Sequence, residues 1–236
     1  MVPLKKVPEI GLYGANIELL VQGDQVTTLR VESAHAFAFV LRNAARIMAH
    51  KAKDVGDKDG LELQAYVTGA VILAYSFLEA GLNEFILHNA IACESPLSDT
   101  EKAMINLVGS EDLRPREKHN TLQLFNIMLR LSKKSPLREG EQPYRSANNV
   151  RQLRNMLIHP RPVWVTTFSE DPKENLSEQQ KIVRQLRTDL RLDRNATFPR
   201  GILNSKCAVW AVRSCENFFR EFVKRSGVEP GFVTDR

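Results

Sequence analysis

The chain has 236 residues, 43% hydrophobic and 26% charged, enough for one sizeable core or two small ones and a composition that argues against intrinsic disorder. Its net charge of +5 and pI near 9.2 favour an anionic partner such as RNA. The longest uninterrupted apolar run near the middle, residues 69–75, is too short to span a bilayer, and Met1-Val2-Pro3-Leu4-Lys5-Lys6 leads into no signal-peptide core. A cytoplasmic protein with no membrane contact is therefore expected.

Residues 16–31 hold two β-branched, apolar segments around Gln22-Gly23-Asp24 and read as a small hairpin. Ser33 can cap a helix running to about residue 53, with Phe37, Val40, Leu41, Ala44, Ile47 and Met48 at core spacing. A charged, glycine-punctuated loop follows over residues 51–60. Residues 61–91 form the longest helical pattern, apolar on nearly every side from 65 to 87, as the central helix of a bundle must be. Within it Ser76, Glu79 and Asn83 recur at i, i+3, i+7 and make one narrow polar stripe. A carboxylate on such a helix needs a cationic partner, and Arg154 is the residue expected to supply it.

Ser98-Asp99-Thr100-Glu101 is a capping box for a short helix to about residue 108. A second helix, from about His119 to Leu131, has Leu122, Phe125, Met128 and Leu129 as its core face. The loop over residues 133–144 carries Lys133, Lys134 and Arg138, which either reach a phosphate backbone or are simply solvated. Residues 163–168 are more strand-like than helical. Ser177 then caps a helix with Ile182, Val183, Leu186 and Leu190 inward and Arg184, Arg187 and Arg191 outward. Asn204 caps the last long helix, in which Cys207, Trp210, Ala211, Ser214, Phe218 and Phe222 repeat at helical spacing.

Cys207 and Cys215 lie on that one helix, where their spacing gives a rise of about 12 Å, beyond disulfide reach. Reduced, packed cysteines are expected, and no Cys/His cluster has zinc-ligand spacing. There is also no Gly-rich phosphate loop, no His-Glu-x-x-His and no nucleophile elbow, so neither metal nor cofactor is expected. The reading is one mainly α domain over residues 1–236: an N-terminal extension or hairpin (1–31), a helical bundle (33–226) and a tail (227–236).

The stretch from Arg151 to Pro160 is where polar residues suited to chemistry interrupt a helical pattern at its end. Arg151, Asn155 and His159 share one face at i, i+4, i+8, while Leu153, Met156 and Leu157 supply an apolar side. Pro160 disfavours helical geometry at His159, so the imidazole belongs in the last, loosening turn. The spacing Arg-x4-His occurs at Arg30/His35, Arg114/His119 and Arg154/His159, but Pro115 and the helix start near Ser33 break the first two pairs. Only Arg154 has a polar Asn155 beside it, and only His159 closes an amphipathic helix.

Arg154-Asn155-x3-His159 resembles the signature of the HEPN family, small all-α domains that include many metal-independent ribonucleases. The stretch from Tyr75 to Glu84 is similar to the polar-striped helix that precedes the motif helix in many HEPN-like proteins. The resemblance implies a HEPN-like bundle and an RNA cleavage in which the ribose 2'-oxygen attacks the adjacent phosphate, leaving a 2',3'-cyclic phosphate and a 5'-hydroxyl. His159 would move the protons, Arg154 would steady charge on the phosphate and Asn155 would bind substrate or orient the imidazole. Glu79, Asn83 and Ser76 would support the site, and Arg151, Arg161, Lys133 and Lys134 would hold RNA. The resemblance further implies a homodimer with two motifs facing one cleft, a toxin or defence role and a neutralising antitoxin protein. Pro160-Arg161-Pro162 stands where nucleotidyltransferase-paired members often place x-Tyr after the histidine, which departs from a tyrosine-modified pairing. The competing reading is a helical binding or scaffold module, in which Arg154 pairs with Glu79 and His159 merely ends its helix.

Overall fold

A computed structural model describes residues 17–22, 25–31, 37–56, 60–91, 98–99, 102, 120–159, 178–190, 198–199 and 201–228. These residues are mainly helical. Two strands, β1 (Ile17–Gln22) and β2 (Gln25–Val31), pair antiparallel with an irregularity between Leu20 and Val21. The helices are α1 (Phe37–Val55), α2 (Gly60–Ile91), α3 (Thr121–Leu131), α4 (Tyr144–Ile158), α5 (Glu178–Leu190) and α6 (Ser205–Ser226).

Helix α2 is the axis of the assembly, packed by α1, α3, α4 and α6. Over residues 60–86 it is long and apolar enough by composition to cross a membrane, and half of its most apolar window is buried inside the fold. A helix surrounded by others needs that same composition. Gly81 lets α6 come close: a Cβ there would stand 2.7 Å from Cε2 of Phe219. The core then grows around edge-to-face rings, with Phe125 to Phe222 at 4.6 Å, Phe85 to Phe222 at 4.8 Å and Phe77 to Phe219 at 5.1 Å between centroids. Such pairs contribute about 1 kcal/mol each beyond the area they bury.

Helix α1 corrects the sequence reading. Its buried stripe is Ala38, Arg42, Ala45, Ala49 and Ala52, whereas Phe37, Val40 and Ile47, read as core, are 51%, 56% and 58% exposed. The physical reason is size. A stripe of alanines lets two helix backbones lie close, so α1 docks on α2 by its small residues and leaves several of its large ones outside. Leu41 and Met48 do pack against the core from the side, Met48 reaching 3.5 Å from the Cβ position of Gly69. The helix continues to Val55, beyond the expected end, and Gly56 follows with φ +67°.

The core faces expected for α3 and α5 are buried as read: Leu122, Phe125, Met128 and Leu129 on one, Ile182, Val183, Leu186 and Leu190 on the other. Helix α3 starts at Thr121, where the Asn120 side chain accepts from the N–H groups of Leu122 and Gln123 and the Gln123 side chain accepts from Asn120 N–H. The loop from α3 to α4 is pinned by buried Asn126, whose Nδ2 donates to Leu137 O at 2.8 Å while Leu137 N donates to its Oδ1 at 2.7 Å. Arg225 of α6 donates to Pro136 O at 2.8 Å and fastens the same loop from the other side.

Asn204 caps α6 by accepting from Cys207 N, and Gly227 ends it at φ +72°. Of the α6 residues read as core, Cys207, Ala211, Ser214, Phe218 and Phe222 are buried, while Trp210 is only half-buried. Cys207 and Cys215 are free thiols, and burial pushes the Cys207 thiol up to about 12, leaving it unreactive at neutral pH. Val228, read as tail, is buried, its N–H donating to Ser226 Oγ. Most of the expected helix at residues 98–108, the strand-like residues 163–168 and the outer Arg191 lie outside the described residues.

Candidate functional site

The motif lies on α4, which opens at Pro143 with Tyr144 buried beneath its first turn. Leu153 is fully buried and Met156 and Leu157 lean on the core, so packing of this apolar side fixes the roll of the helix. The opposite side then faces α2 and the start of α3 across an open cleft of about 350 Å3. Arg151, Arg154 and Asn155 line it from α4, Tyr75, Glu79 and Asn83 from α2, and Asn120 and Thr121 from the head of α3.

Arg154 is held from three sides. Its Nη2 lies 3.7 Å from Glu79 Oε2, its Nη1 donates to Asn155 Oδ1 at 3.2 Å, and its guanidinium carbon stands 5.8 Å from the Tyr75 ring centroid. The pairing of Arg154 with Glu79 is the one the polar stripe of α2 led us to expect. Its length and the residual exposure of both side chains, 23% and 38%, make it a loose pair. Burial raises the Glu79 carboxyl above its ordinary range, and the Arg154 charge only partly offsets this. Arg154 Nε is buried with no hydrogen-bond partner among the described residues, an unused donor beside the cleft.

Arg151 donates through Nε to Asn148 Oδ1 at 3.0 Å, which steadies its stem along α4. Burial drives the Tyr75 hydroxyl up to about 12, against a hydrogen bond with Thr121 and the Arg151 charge, so it remains protonated and serves as a donor at neutral pH. Tyr75, Asn120 and Thr121 were not singled out as site residues in the sequence. For Asn120 a signal was there: Asn followed three residues later by Gln is a capping-box pattern, and the cap places α3's first turn at the cleft wall.

His159 stands one turn beyond Asn155 as the C-cap of α4. Its φ of −126° and ψ of 64° are non-helical, its N–H donates to Asn155 O at 2.9 Å, and its side chain is exposed. It is not among the residues lining the cleft. Ser76 is half-buried on α2 and also outside the lining, although Glu79 and Asn83 of the same stripe reach it. Lys133 and Lys134 are exposed just past the far end of α3, about 15 Å along the helix axis from Thr121. They belong to a different part of the surface than the cleft. Arg161 lies outside the described residues.

Chemically, the cleft offers two guanidinium groups, three amides and a phenol to an anion, with one carboxylate that accepts from a hydroxyl or amine. Among the described residues no group of His, Cys, Asp and Glu is placed to hold a metal ion. In comparisons with known proteins, no family model, no curated protein and no solved structure matches the chain.

Proposed function

We propose that the chain is a metal-independent endoribonuclease of the HEPN type, with the Arg154, Asn155 and His159 turn of α4 as its working part. The observation that carries the reading is the convergence of Arg151, Arg154 and Asn155 with the α2 stripe residues Glu79 and Asn83 in one open cleft. A phosphate entering it meets the fork of Arg151 and the remaining donors of Arg154. His159, exposed at the helix end, is reachable by the ribose 2'-hydroxyl or by the departing 5'-oxygen of a strand that leaves the cleft along α4. As a base it takes the 2'-hydroxyl proton while that oxygen bonds to phosphorus and the bond to the 5'-oxygen breaks. A second histidine, from another copy of the chain, would protonate the leaving oxygen, which is why a homodimer belongs to the proposal.

The alternative is a non-catalytic module, and two observations favour it. Arg154 already has a carboxylate partner in Glu79, and His159 is not among the residues that line the cleft. Cleavage of an end-labelled RNA in EDTA, with the product ends mapped, tests the two readings. The nuclease requires 2',3'-cyclic phosphate and 5'-hydroxyl ends that disappear in His159→Ala. A folded wild-type chain that cuts none of several RNA classes is the binding module.

A further inference from the structure

A second and larger cleft, of about 650 Å3, opens where α1, α4, α5 and α6 meet. It shares no lining residue with the first. Lys206, Trp210 and Arg213 of α6 line it together with Lys53 of α1, and they begin a longer feature. Along α6 the residues Lys206, Trp210, Arg213, Asn217, Arg220 and Lys224 follow at i, i+4, i+7, i+11, i+14, i+18, one face with a rise of about 27 Å. The exposed residues of this helix are Lys206, Arg213, Asn217, Arg220 and Lys224 alone, four cations and an amide, with Trp210 half-buried among them. No ion pair holds any of the four cations among the described residues. The acids of α6 are already paired, Glu216 with Arg46 at 2.6 Å and Glu221 with Arg225 at 2.8 Å.

Helix α1 runs beside α6 in the opposite sense, since Arg46 reaches Glu216 while Lys53, near the end of α1, shares the cleft with Lys206 near the start of α6. Both helices pack on α2, so their outward sides adjoin. On α1 that side is apolar. Phe37, Val40, Ala44 and Ile47 recur at i, i+3, i+7, i+10, and Val40 and Ile47 are each more than half exposed. Neighbouring large apolar side chains held in water on a folded surface mark a contact face.

Whatever covers this face has to serve two unlike strips at once. A nucleic-acid strand or a uniformly acidic peptide serves the cations of α6 and leaves Val40 and Ile47 in water. An apolar protein surface does the reverse, and a protein both acidic and apolar has to match the two strips in register. The surface of a bilayer with anionic lipids needs no register. Headgroup charge lies against the α6 cations, and the α1 side chains reach the upper acyl chains. Trp210, an apolar ring with one N–H, suits the boundary between the two, and the cleft beside it gives a headgroup room near Lys53, Lys206 and Arg213.

We infer that the outward face of α1 and α6 docks on the surface of an anionic bilayer, the α6 cations making the charge contact and Val40 and Ile47 the apolar one. The expectation of no membrane contact rested on the lack of a spanning run and of a signal core, and a surface contact requires neither. The inference is independent of the ribonuclease reading, since no residue of this face lines the motif cleft.

Co-sedimentation of the full chain with vesicles of phosphatidylcholine, with and without phosphatidylserine, tests this. The chain binds the phosphatidylserine vesicles at least about tenfold more tightly than the neutral ones. Arg213→Gln combined with Arg220→Gln weakens that binding by about tenfold or more, and so does Val40→Ser combined with Ile47→Ser. All four side chains are exposed, so folding is not at stake. Any of four results overturns the assignment: no sedimentation with either vesicle, equal sedimentation with both, full affinity in either double variant, or binding to polyglutamate that both double variants weaken, which marks an acidic protein as the occupant.

Discussion

Glu79 shows how a single residue on α2 sets up both a partner and a pH response. Its carboxyl is half-buried, 3.7 Å from the nearest Arg154 nitrogen, and burial outweighs that arginine's pull, so it titrates above the ordinary carboxylate range. A carboxyl whose folded value is raised holds its proton more tightly in the folded state. Its contribution is therefore fully present below the ordinary carboxylate range and is lost as pH rises through the raised value. Glu84 shifts in the same direction, chiefly by burial and against backbone hydrogen bonds from Ala38 and Phe37. The unfolding midpoint in urea should accordingly fall as pH rises above the ordinary carboxylate range, and Glu79→Gln should make that fall shallower. An equal fall in the variant contradicts the account of Glu79. At Asn126 the consequence is simpler: truncation to Ala strips Leu137 of both a donor and an acceptor in a buried place, costing about 2 kcal/mol or more. A midpoint within error of wild type would mean that the loop keeps its place by other contacts.

Between elements, the closest approach is α2 on α6 at Gly81. Replacing a helical glycine by alanine ordinarily stabilises by about 1 kcal/mol, but here the new methyl meets the Phe219 ring, itself wedged between Phe77 and Phe125. Overpacking of about 1–3 kcal/mol exceeds that gain, so Gly81→Ala should lower the thermal midpoint. A raised midpoint would show that the ring shifts without cost. The same scale explains what the sequence disclosed. The apolar breadth of α2 and its Glu79 stripe were legible because a helix enclosed by others tolerates few polar residues, and each one left stands out. The faces of α3 and α5 were legible from periodicity alone. On α1 the larger apolar residues drew the eye, while an alanine stripe, which permits close backbone approach, carried the packing. Asn126 gave no signal, since its role depends on a partner in the loop that follows its helix.

Across the whole molecule, α4 links the two clefts. Ser146 in its first turn lines the larger one, while Arg151, Arg154 and Asn155 near its end line the smaller, with a rise of about 12 Å between Ser146 and Arg154. Most of the motif cleft could be anticipated, because Arg151, Arg154 and Asn155 are neighbours on one helix and Glu79 was their natural counter-charge. The α3 wall and the entire second cleft could not, because they assemble residues far apart in the chain. The central claim remains that His159 makes this helix end a metal-free ribonuclease. Single-turnover cleavage of one RNA in EDTA, with wild type and His159→Ala in excess, tests it most directly. Removal of a proton-transfer group from a working site should slow cleavage by about a hundredfold or more while RNA affinity holds. Equal rates from the two chains would contradict the claim and leave His159 as the cap of α4.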